Sequence, residues 1–283
     1  MVIIGVDMGG TRIKAGRVYK GRITKYISKK THARTSQEEV MSQLFKIIDT
    51  LMSHNVKFIC IGVPGIVNEH GTVVSLTNIH SWYNVPLKKI LEKKYGRPVF
   101  IENDANCFIL GEKYFGKAKK FRNIVGIIMG TGAGAGIIIN NQLYEGLAGG
   151  AGEFGAVEFR HKTIEDYCSG KFFLWKYHLT GINLFDRVRK GEHKAMKIFR
   201  EFGENIGKEL AIVVDSIAPE LIILGGSIAK SYTFFKKAML KSLKEEISDT
   251  QFSKLKIKVS TNKNIAILGA STLHKEYLKE HKW

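Results

Sequence analysis

Two glycine-rich segments carry residue types that bind phosphate. Residues 7–11 are Asp-Met-Gly-Gly-Thr, and residues 130–136 alternate glycine with threonine or alanine. Phosphate oxygens bind well where successive backbone N–H groups converge without a Cβ nearby, and glycine-rich turns supply that geometry. Thr11 and Thr131 add hydroxyl donors. The sequence therefore predicts two turns that hold the phosphates of a nucleotide.

Asp7 places a carboxylate at the end of the first predicted strand, directly before the glycine pair. This carboxylate would repel phosphate unless a metal ion lay between them. We therefore expect Mg²⁺ beside Asp7, held through water because Mg²⁺ loses its water ligands reluctantly.

The residues around these turns separate them from other glycine loops. No G-x-x-x-x-G-K-[ST] segment is present, which excludes a P-loop. The HRD and DFG segments of protein kinases are also absent, so nothing supports a protein kinase. Residues 130–135 loosely match a dinucleotide fingerprint, but that motif must open a helix and the isoleucines at 137–139 predict a strand. Glycines that only make tight turns remain an alternative for either segment alone. Two such segments, each between strands, favour phosphate binding.

Two acidic residues stand out by their positions. Asp104 lies at a strand-to-helix junction, where a carboxylate is either an ordinary helix cap or a catalytic group. Glu153 lies between two glycines with little helical company, so no structural role is obvious for it. We expect both residues to act in a functional site.

Alternating strands and helices position these residues. Apolar runs predict strands at 2–6, 13–19, 22–28, 57–63, 98–101, 123–129, 137–144 and 220–224. Helices are predicted through 40–51 after a Ser36–Glu39 capping box, at 86–95 with Pro86 first, and at 105–115, 165–178 and 192–217. This alternation predicts an α/β protein with parallel central strands. The strand, glycine turn, strand layout of 2–19 returns at 123–144, which indicates two similar halves.

Composition limits the partners. A length of 283 residues is enough for two domains. The formal net charge of +18 raises nucleic acid as a partner, but the basic residues are scattered and no nucleic-acid-binding motif accompanies them. We expect no nucleic-acid partner. The charge is then a property of the surface, or a field that attracts nucleotide.

The cellular location follows from cysteines and apolar runs. Cys60, Cys107 and Cys168 are far apart in apolar segments, which is typical of free core thiols in a reducing compartment. No apolar run reaches about 18 residues, and the first residues lack the pattern of a signal peptide. We expect a cytoplasmic protein without a membrane partner.

Taken in order, the motifs resemble those of the ROK family of sugar kinases, within the hexokinase–actin–Hsp70 superfamily. The resemblance extends over essentially the whole chain. It rests on Asp7–Thr11, Gly62–Gly65, Thr77-Asn78 with Trp82, Glu102–Asn106, Gly130–Gly136, Gly152–Gly155 and Gly225-Gly226. Each motif alone is weak, and their shared order is the specific signal.

The resemblance implies a two-lobed actin-like ATPase (ribonuclease H-like) fold with duplicated α/β halves and a central cleft. The N-terminal lobe, 1–115, would carry the sugar side and the first phosphate motif, completed by a C-terminal helix at 268–283. The other lobe, 116–267, would carry the second phosphate motif and the adenosine site. The family also implies a homodimer.

The implied activity is transfer of a phosphoryl group from ATP with Mg²⁺ to a sugar hydroxyl, usually the 6-OH. Asp104 would accept the proton of that hydroxyl, and the amide of Asn103 could both donate and accept. Trp82 is equally compatible with the core and with a sugar contact. The implied substrate-binding residues are Gly65, Thr77, Asn78, Asn103, Asp104, Glu153 and Glu165. The implied nucleotide-binding residues are Asp7, Gly9, Gly10, Thr11, Lys14, Gly130, Thr131, Gly132, Gly134, Gly225 and Gly226.

The chain departs from the family at its zinc motif. Members with zinc carry a histidine where this chain has Ala156, and their Cys-rich loop ends in a cysteine where this chain has Thr163. Eleven residues separate Glu153 from Glu165, and the region offers only His161 and Cys168 as ligands, whereas structural zinc needs four. We therefore expect no structural zinc.

The same departure bears on the substrate. The missing histidine normally touches the sugar near C1 or C2, so we expect tolerance for an N-acetyl or anomeric substituent. Zinc-free members of the family include N-acetylmannosamine kinases and β-glucoside kinases, and the short chain resembles the former more. We therefore expect N-acetylmannosamine as the substrate, with glucokinase, fructokinase or β-glucoside kinase activity as alternatives. A sugar-responsive regulator of the same family and a different actin-like or Hsp70-like ATPase are further alternatives.

Overall fold

The computed structural model describes residues 1–77, 79 and 81–280. The strands are β1 (Val2–Met8), β2 (Arg12–Tyr19), β3 (Arg22–Lys30), β4 (Val56–Val63), β5 (Gly65–Val67), β6 (Val73–Leu76), β7 (Tyr83–Val85), β8 (Val99–Asn103), β9 (Ile124–Met129), β10 (Ala133–Ile139), β11 (Gln142–Leu143), β12 (Glu158–Phe159), β13 (Lys162–Thr163), β14 (Leu221–Gly225) and β15 (Lys256–Val259). The helices are α1 (Gln37–Leu51), α2 (Leu87–Tyr95), α3 (Asp104–Phe115), α4 (Ile164–Cys168), α5 (Gly170–Tyr177), α6 (Gly181–Arg189), α7 (His193–Ile217), α8 (Tyr232–Glu246), α9 (Asp249–Lys254), α10 (Ile265–Ala270) and α11 (Leu273–Glu280). The predicted α/β class is confirmed.

The chain divides into two compact units. Unit 1 contains residues Met1–Lys120, Gln142–Ala151 and Asn262–Trp283. Unit 2 contains Phe121–Asn141 and Gly152–Thr261.

Unit 1 is built on a sheet with the strand order β3-β2-β1-β4-β8. β1 pairs antiparallel with β2 and parallel with β4, and β4 pairs parallel with β8. α10 packs closely on this sheet and on α3. A Cβ at Gly269 would lie 1.7 Å from the Cys107 carbonyl oxygen, and one at Gly5 would lie 2.4 Å from the Ile267 carbonyl oxygen. Only glycine allows these backbones to approach so closely.

Unit 2 is built on a sheet in which β10, β9, β14 and β15 follow one another. β9 pairs antiparallel with β10 and parallel with β14, and β14 pairs parallel with β15. α7 and α8 pack together at Gly207, where a Cβ would lie 2.6 Å from the Met239 carbonyl oxygen. The pairing of β9 repeats that of β1, so the predicted internal repeat is confirmed.

Two predicted elements differ from the structure. The predicted helix 165–178 is two helices, α4 and α5, because Ser169 between them has extended backbone angles and caps α5. The predicted strand 137–144 begins earlier and ends earlier, as β10. Gly134 and Gly136 pair with β9, so the turn of this hairpin is confined to residues 130–132. The strand ends at Ile139, directly before Asn140, which has a positive φ.

Smaller differences concern helix starts and strands that the sequence analysis missed. Pro86 is the N-cap of α2 and not its first residue. Ser36 caps α1 as predicted, and its Oγ accepts a hydrogen bond from the Glu39 N–H at 3.3 Å. The short sheet β5-β6-β7 was not predicted. None of the helices in the described ranges is both long and apolar enough to cross a bilayer.

Candidate active site

In unit 1, parallel strands bring predicted site residues to one edge of the sheet. Asp7 on β1 is in register with Gly62 on β4, and Val63 is in register with Asn103 on β8. Because these strands are parallel, their carboxyl ends meet at the same edge. Ligands of α/β proteins bind at such edges.

The first glycine turn closes on itself at Gly9. Its N–H donates to the Arg12 carbonyl at 3.0 Å, and its carbonyl accepts from Thr31 Oγ1 at 2.5 Å. Gly10 is half-buried and Thr11 is exposed. The turn is therefore anchored at Gly9 and open to solvent beyond it.

Asp7 has a cationic partner in the same hairpin. Lys14 Nζ lies 3.1 Å from Asp7 Oδ2, and the side chains of Asp7 and Lys14 are 18% and 38% exposed. Lys14 therefore offsets part of the repulsion between the Asp7 carboxylate and phosphate. The sequence analysis expected a metal ion alone to offset it. The carboxylate still offers the hard oxygen chemistry that suits Mg²⁺.

Asp104 is the first residue of α3, and it is half-buried. The cap of this helix is Asn103, whose Oδ1 accepts from the N–H groups of Ala105 at 2.8 Å and Asn106 at 3.3 Å. The alternative that Asp104 serves as the cap is therefore wrong. A negative charge in the first helical turn is favoured by the helix dipole.

Asn103 also links the motif Glu102–Asn106 to the motif Gly62–Gly65. Its Nδ2 donates to the Gly65 carbonyl at 3.1 Å. Gly65 itself has no room for a side chain, because a Cβ there would lie 2.1 Å from the Ser75 carbonyl oxygen. Asn103 thus holds Gly65 beside Asp104, and its role in binding substrate stays a prediction.

The other predicted sugar contacts of unit 1 are less closely grouped. Thr77 is exposed, and its N–H donates to the Pro64 carbonyl at 3.0 Å. Asn78 lies outside the described residues. Trp82 is 1% exposed and packs in the hydrophobic core of unit 1, which supports the alternative that it is a core residue.

The sequence analysis missed the role of Glu102. Its Oε1 accepts from Asn103 N at 2.6 Å and from Asn106 Nδ2 at 2.9 Å. Burial, together with a hydrogen bond to and repulsion from Glu145, raises the pKa of Glu102 well above its ordinary range. The two carboxyl groups line a cavity of about 560 Å³ within unit 1. Glu102 therefore tends to hold its proton near neutral pH, because its pKa is raised to about 8.

In unit 2, the second glycine turn is held by the junction between α4 and α5. The Gly170 N–H donates to the Gly130 carbonyl at 2.8 Å, and Ser169 Oγ donates to the Thr131 carbonyl at 3.2 Å. The Gly130 N–H donates to the Gly132 carbonyl at 2.9 Å, which closes the turn. The start of α5 therefore supports the predicted phosphate turn directly.

Glu165 on α4 also meets this turn. Its Oε2 accepts from the Ala133 N–H at 3.0 Å, and its Oε1 forms an ion pair with Lys171. The sequence analysis predicted Glu165 and missed Lys171. No local pattern marked that lysine, because its role depends on a side chain six residues earlier.

Glu153 is exposed and begins a short 3-10 helix, Glu153–Ala156, that lies against β10. A Cβ at Gly152 would lie 2.1 Å from the Ala135 carbonyl oxygen, and one at Gly155 would lie 2.8 Å from the Ala133 carbonyl oxygen. The two glycines thus let this turn lie flat on β10. The structure brings both predicted acidic residues of unit 2 to this strand.

The predicted nucleotide-binding motif Gly225-Gly226 lies beside the second phosphate turn. Gly226 has φ +86°, and a Cβ there would lie 2.1 Å from the Met129 carbonyl oxygen. Gly225 ends β14 and is in register with Ile128. Gly134 lies inside β10, opposite the same residue, and not in the turn.

The region that corresponds to the zinc motif of other family members is held by side-chain hydrogen bonds. The Tyr167 hydroxyl lies 3.0 Å from a ring nitrogen of His161, and Thr163 forms a capping box with Asp166. Cys168 is buried and hydrogen-bonded to Glu209. Across residues 1–77, 79 and 81–280, no group of three or more histidine, cysteine, aspartate or glutamate side chains could hold a metal ion.

The sequence profile of the ROK family matches residues 3–277. The chain belongs to the ROK family. Among curated relatives, the glucokinase of Thermotoga maritima is 28% identical, with 97% of each chain covered. The xylose repressor of Caldicellulosiruptor bescii is 30% identical over 94% of this chain and 76% of the repressor.

Solved structures of the family share the fold. A glucokinase from Streptomyces griseus, in complex with glucose and AMPPNP, has a TM-score of 0.83 at 26% identity and covers 96% of this chain and 99% of its own. A candidate N-acetylmannosamine kinase from Listeria monocytogenes has a TM-score of 0.84 at 26% identity, with both chains fully covered. The predicted actin-like ATPase fold with duplicated α/β halves is confirmed, and the ROK protein is a carbohydrate kinase.

Proposed function

We propose that this ROK kinase transfers the terminal phosphoryl group of ATP to the 6-hydroxyl of a hexose or N-acylhexosamine, with N-acetylmannosamine as the preferred substrate. The observation that carries the proposal is the position of Asp104 at the start of α3. Asp104 follows Asn103, which is bonded to Gly65, and it lies at the strand edge that also presents Asp7.

In this proposal Asp104 accepts the proton of the attacking hydroxyl. Phosphoryl transfer otherwise requires mainly positioning and stabilisation of charge. The turns at Gly9 and Gly130 hold the phosphates through backbone N–H groups, and Gly225 and Gly226 border the adenosine. Asp7 would hold Mg²⁺ through water, where the ion would neutralise charge on the phosphates, and Lys14 adds a second positive charge.

The choice of sugar rests on the short segment between Glu153 and Glu165. Ala156 is exposed and leaves room where the family resemblance expects a histidine. A vacant position of this kind favours a substituent larger than hydroxyl at C1 or C2. The similarity to the Listeria monocytogenes protein supports the same choice. We also propose a homodimer, as the family resemblance implies, and sedimentation velocity would test it.

A coupled assay of ADP release tests the activity across N-acetylmannosamine, N-acetylglucosamine, glucose, fructose and cellobiose. We expect the highest kcat/KM with N-acetylmannosamine. A higher kcat/KM with glucose or fructose would reject the proposed sugar, and turnover of ATP independent of any sugar would reject the proposed activity.

The Asp104→Asn variant tests the mechanism. We expect kcat to fall by at least about 100-fold, the usual contribution of a general base, with little change in nucleotide binding. Asp249→Asn is the matched control, because Asp249 is likewise the first residue of a helix with a capping residue before it, Ser248, and it is exposed. Equal activity of the two variants would remove Asp104 from the mechanism.

A sugar-responsive regulator is the second candidate, because the xylose repressor is 30% identical to this chain. The net charge of +18 would favour contact with DNA phosphates. A mobility-shift assay with the DNA upstream of its own gene, repeated at several salt concentrations, tests this candidate. Specific, salt-dependent binding that a sugar releases would support a regulatory function beside the kinase activity.

A further inference from the structure

The carboxylate of Glu165 is held from two sides. Lys171 Nζ pairs with Oε1, and the Ala133 N–H donates to Oε2 at 3.0 Å. The side chain of Glu165 is 20% exposed, so the carboxylate keeps limited access to solvent. One cation and one backbone N–H therefore fix both of its oxygens.

The second glycine turn is shaped around this carboxylate. A Cβ at Gly132 would lie 2.3 Å from Glu165 Oε2, and a Cβ at Gly155 would lie 3.5 Å from Glu165 Cβ. A different orientation of Glu165 would break the bond to Ala133. The orientation of Glu165 and the shape of the turn are therefore linked.

Lys171 reaches Glu165 from the helix start that supports the same turn. Its own N–H donates to Ser169 Oγ at 3.2 Å, and that hydroxyl donates to the Thr131 carbonyl. The Lys171 side chain is 45% exposed. An ion pair with so exposed a partner contributes little to stability, so its main effect is on geometry.

We propose that Lys171 is a positioning residue that fixes the carboxylate of Glu165 and, through it, the second phosphate turn. Its ammonium group holds Oε1, which leaves Oε2 directed at Ala133. This inference rests on the proposed kinase activity, in which Glu165 binds a sugar hydroxyl and the turn binds phosphate. Lys171 then links the orientation of the sugar contact to that of the phosphate contact.

The test compares Lys171→Met, Lys171→Arg and the control Lys176→Met. Lys176 is on the same helix and forms the same kind of ion pair, with Glu201, at similar exposure of 37%. We expect Lys171→Met to raise the KM for sugar by about 10- to 100-fold, as expected for a misplaced binding group. Lys171→Arg should restore the KM to within a few-fold of the wild type, and Lys176→Met should leave it unchanged, with similar thermal stability for all variants.

A double variant shows whether Lys171 acts through Glu165. Lys171→Met should have no further effect on the KM for sugar when Glu165 is already Gln. Independent, additive effects of the two changes would overturn the proposal. Equal KM values for Lys171→Met and Lys176→Met in an active enzyme would also overturn it.

A binding measurement separates this inference from the proposed activity. If the wild type phosphorylates no sugar, the proposed function fails. Calorimetry with AMPPNP then still reports on the turn. We expect Lys171→Met to weaken nucleotide binding by about 2- to 10-fold, the effect of losing one ordinary hydrogen bond, and Lys176→Met to leave it unchanged. Equal affinity in the two variants would reject a role for Lys171 in shaping the turn.

Discussion

Glu209 on α7 lies inside unit 2 with 2% of its surface exposed, and its Oε2 has no hydrogen-bond partner in the described part of the chain. The Cys168 thiol donates a hydrogen bond to the Glu209 carboxyl group, and this bond lowers the pKa of Glu209. Burial is the larger effect because it removes water from the charged form. The pKa of Glu209 is therefore raised from 4.5 to about 8.

This pKa fixes the sign of a pH effect on stability. Between pH 4.5 and 8 the unfolded chain has lost the proton of residue 209 and the folded chain retains it, so folding must take up a proton. The contribution of Glu209 is fully present below pH 4.5 and is lost as the pH rises through 8. The slope is about 1.4 kcal/mol per pH unit, which gives about 3 kcal/mol between pH 5 and 7.5.

Glu209→Gln removes the titration while it keeps the shape of the protonated acid. We expect equal unfolding free energies for the variant and the wild type near pH 5, and a variant about 3 kcal/mol more stable at pH 7.5. Urea denaturation at half-unit pH intervals measures the difference. Glu204→Gln is the control, because Glu204 is on the same helix with a side chain 45% exposed.

Parallel stability profiles for Glu209→Gln and the wild type from pH 5 to 8 would refute this reasoning. They would mean that water or a cation reaches the carboxylate and satisfies its charged form.

Three further outcomes follow from contacts already described. Gly132→Ala should leave the fold intact, because its Cβ meets only the movable end of Glu165, but should raise the KM for sugar at least about 10-fold. Gly269→Ala should lower the free energy of unfolding in urea by about 3 kcal/mol or more, because the new Cβ would clash with backbone atoms of α3. Gly181→Ala is the control. Its Cβ would contact only the Phe173 side chain, at 3.7 Å, and stability should change by less than about 1 kcal/mol. Glu102→Gln should flatten the fall in stability with rising pH, because the wild-type carboxyl group holds a proton that the unfolded chain releases. Titration of unfolding free energies, as for Glu209, measures the change.

The sequence predicted the parts of the site that depend on short-range signals. Glycines between β-branched runs marked both turns, and the apolar run before Asp104 marked the strand end at α3. The repeat of strand, turn and strand identified the duplicated halves, because each half has its own hairpin. These features depend on residues close together in the chain, and their patterns are visible without a structure.

Contacts between distant segments could not be predicted in this way. The break between α4 and α5 at Ser169 depends on the Thr131 carbonyl, 38 residues away, which accepts a hydrogen bond from the Ser169 hydroxyl. The bond from Asn103 to Gly65 likewise spans 38 residues. The raised pKa of Glu209 depends on its burial beside Cys168, and a glutamate in an amphipathic helix is usually exposed. The local sequence gives no sign of any of these neighbours.

The interleaving of the two units along the chain has a consequence for biosynthesis. Residues from Asn262 onward belong to unit 1, and α10 covers Gly5 of β1 and Gly111 of α3. A ribosome delivers all of unit 2 before it delivers this segment. Unit 1 is therefore begun before unit 2 and completed after it, and the nascent chain must keep the apolar surface beneath α10 from aggregating until α10 has emerged.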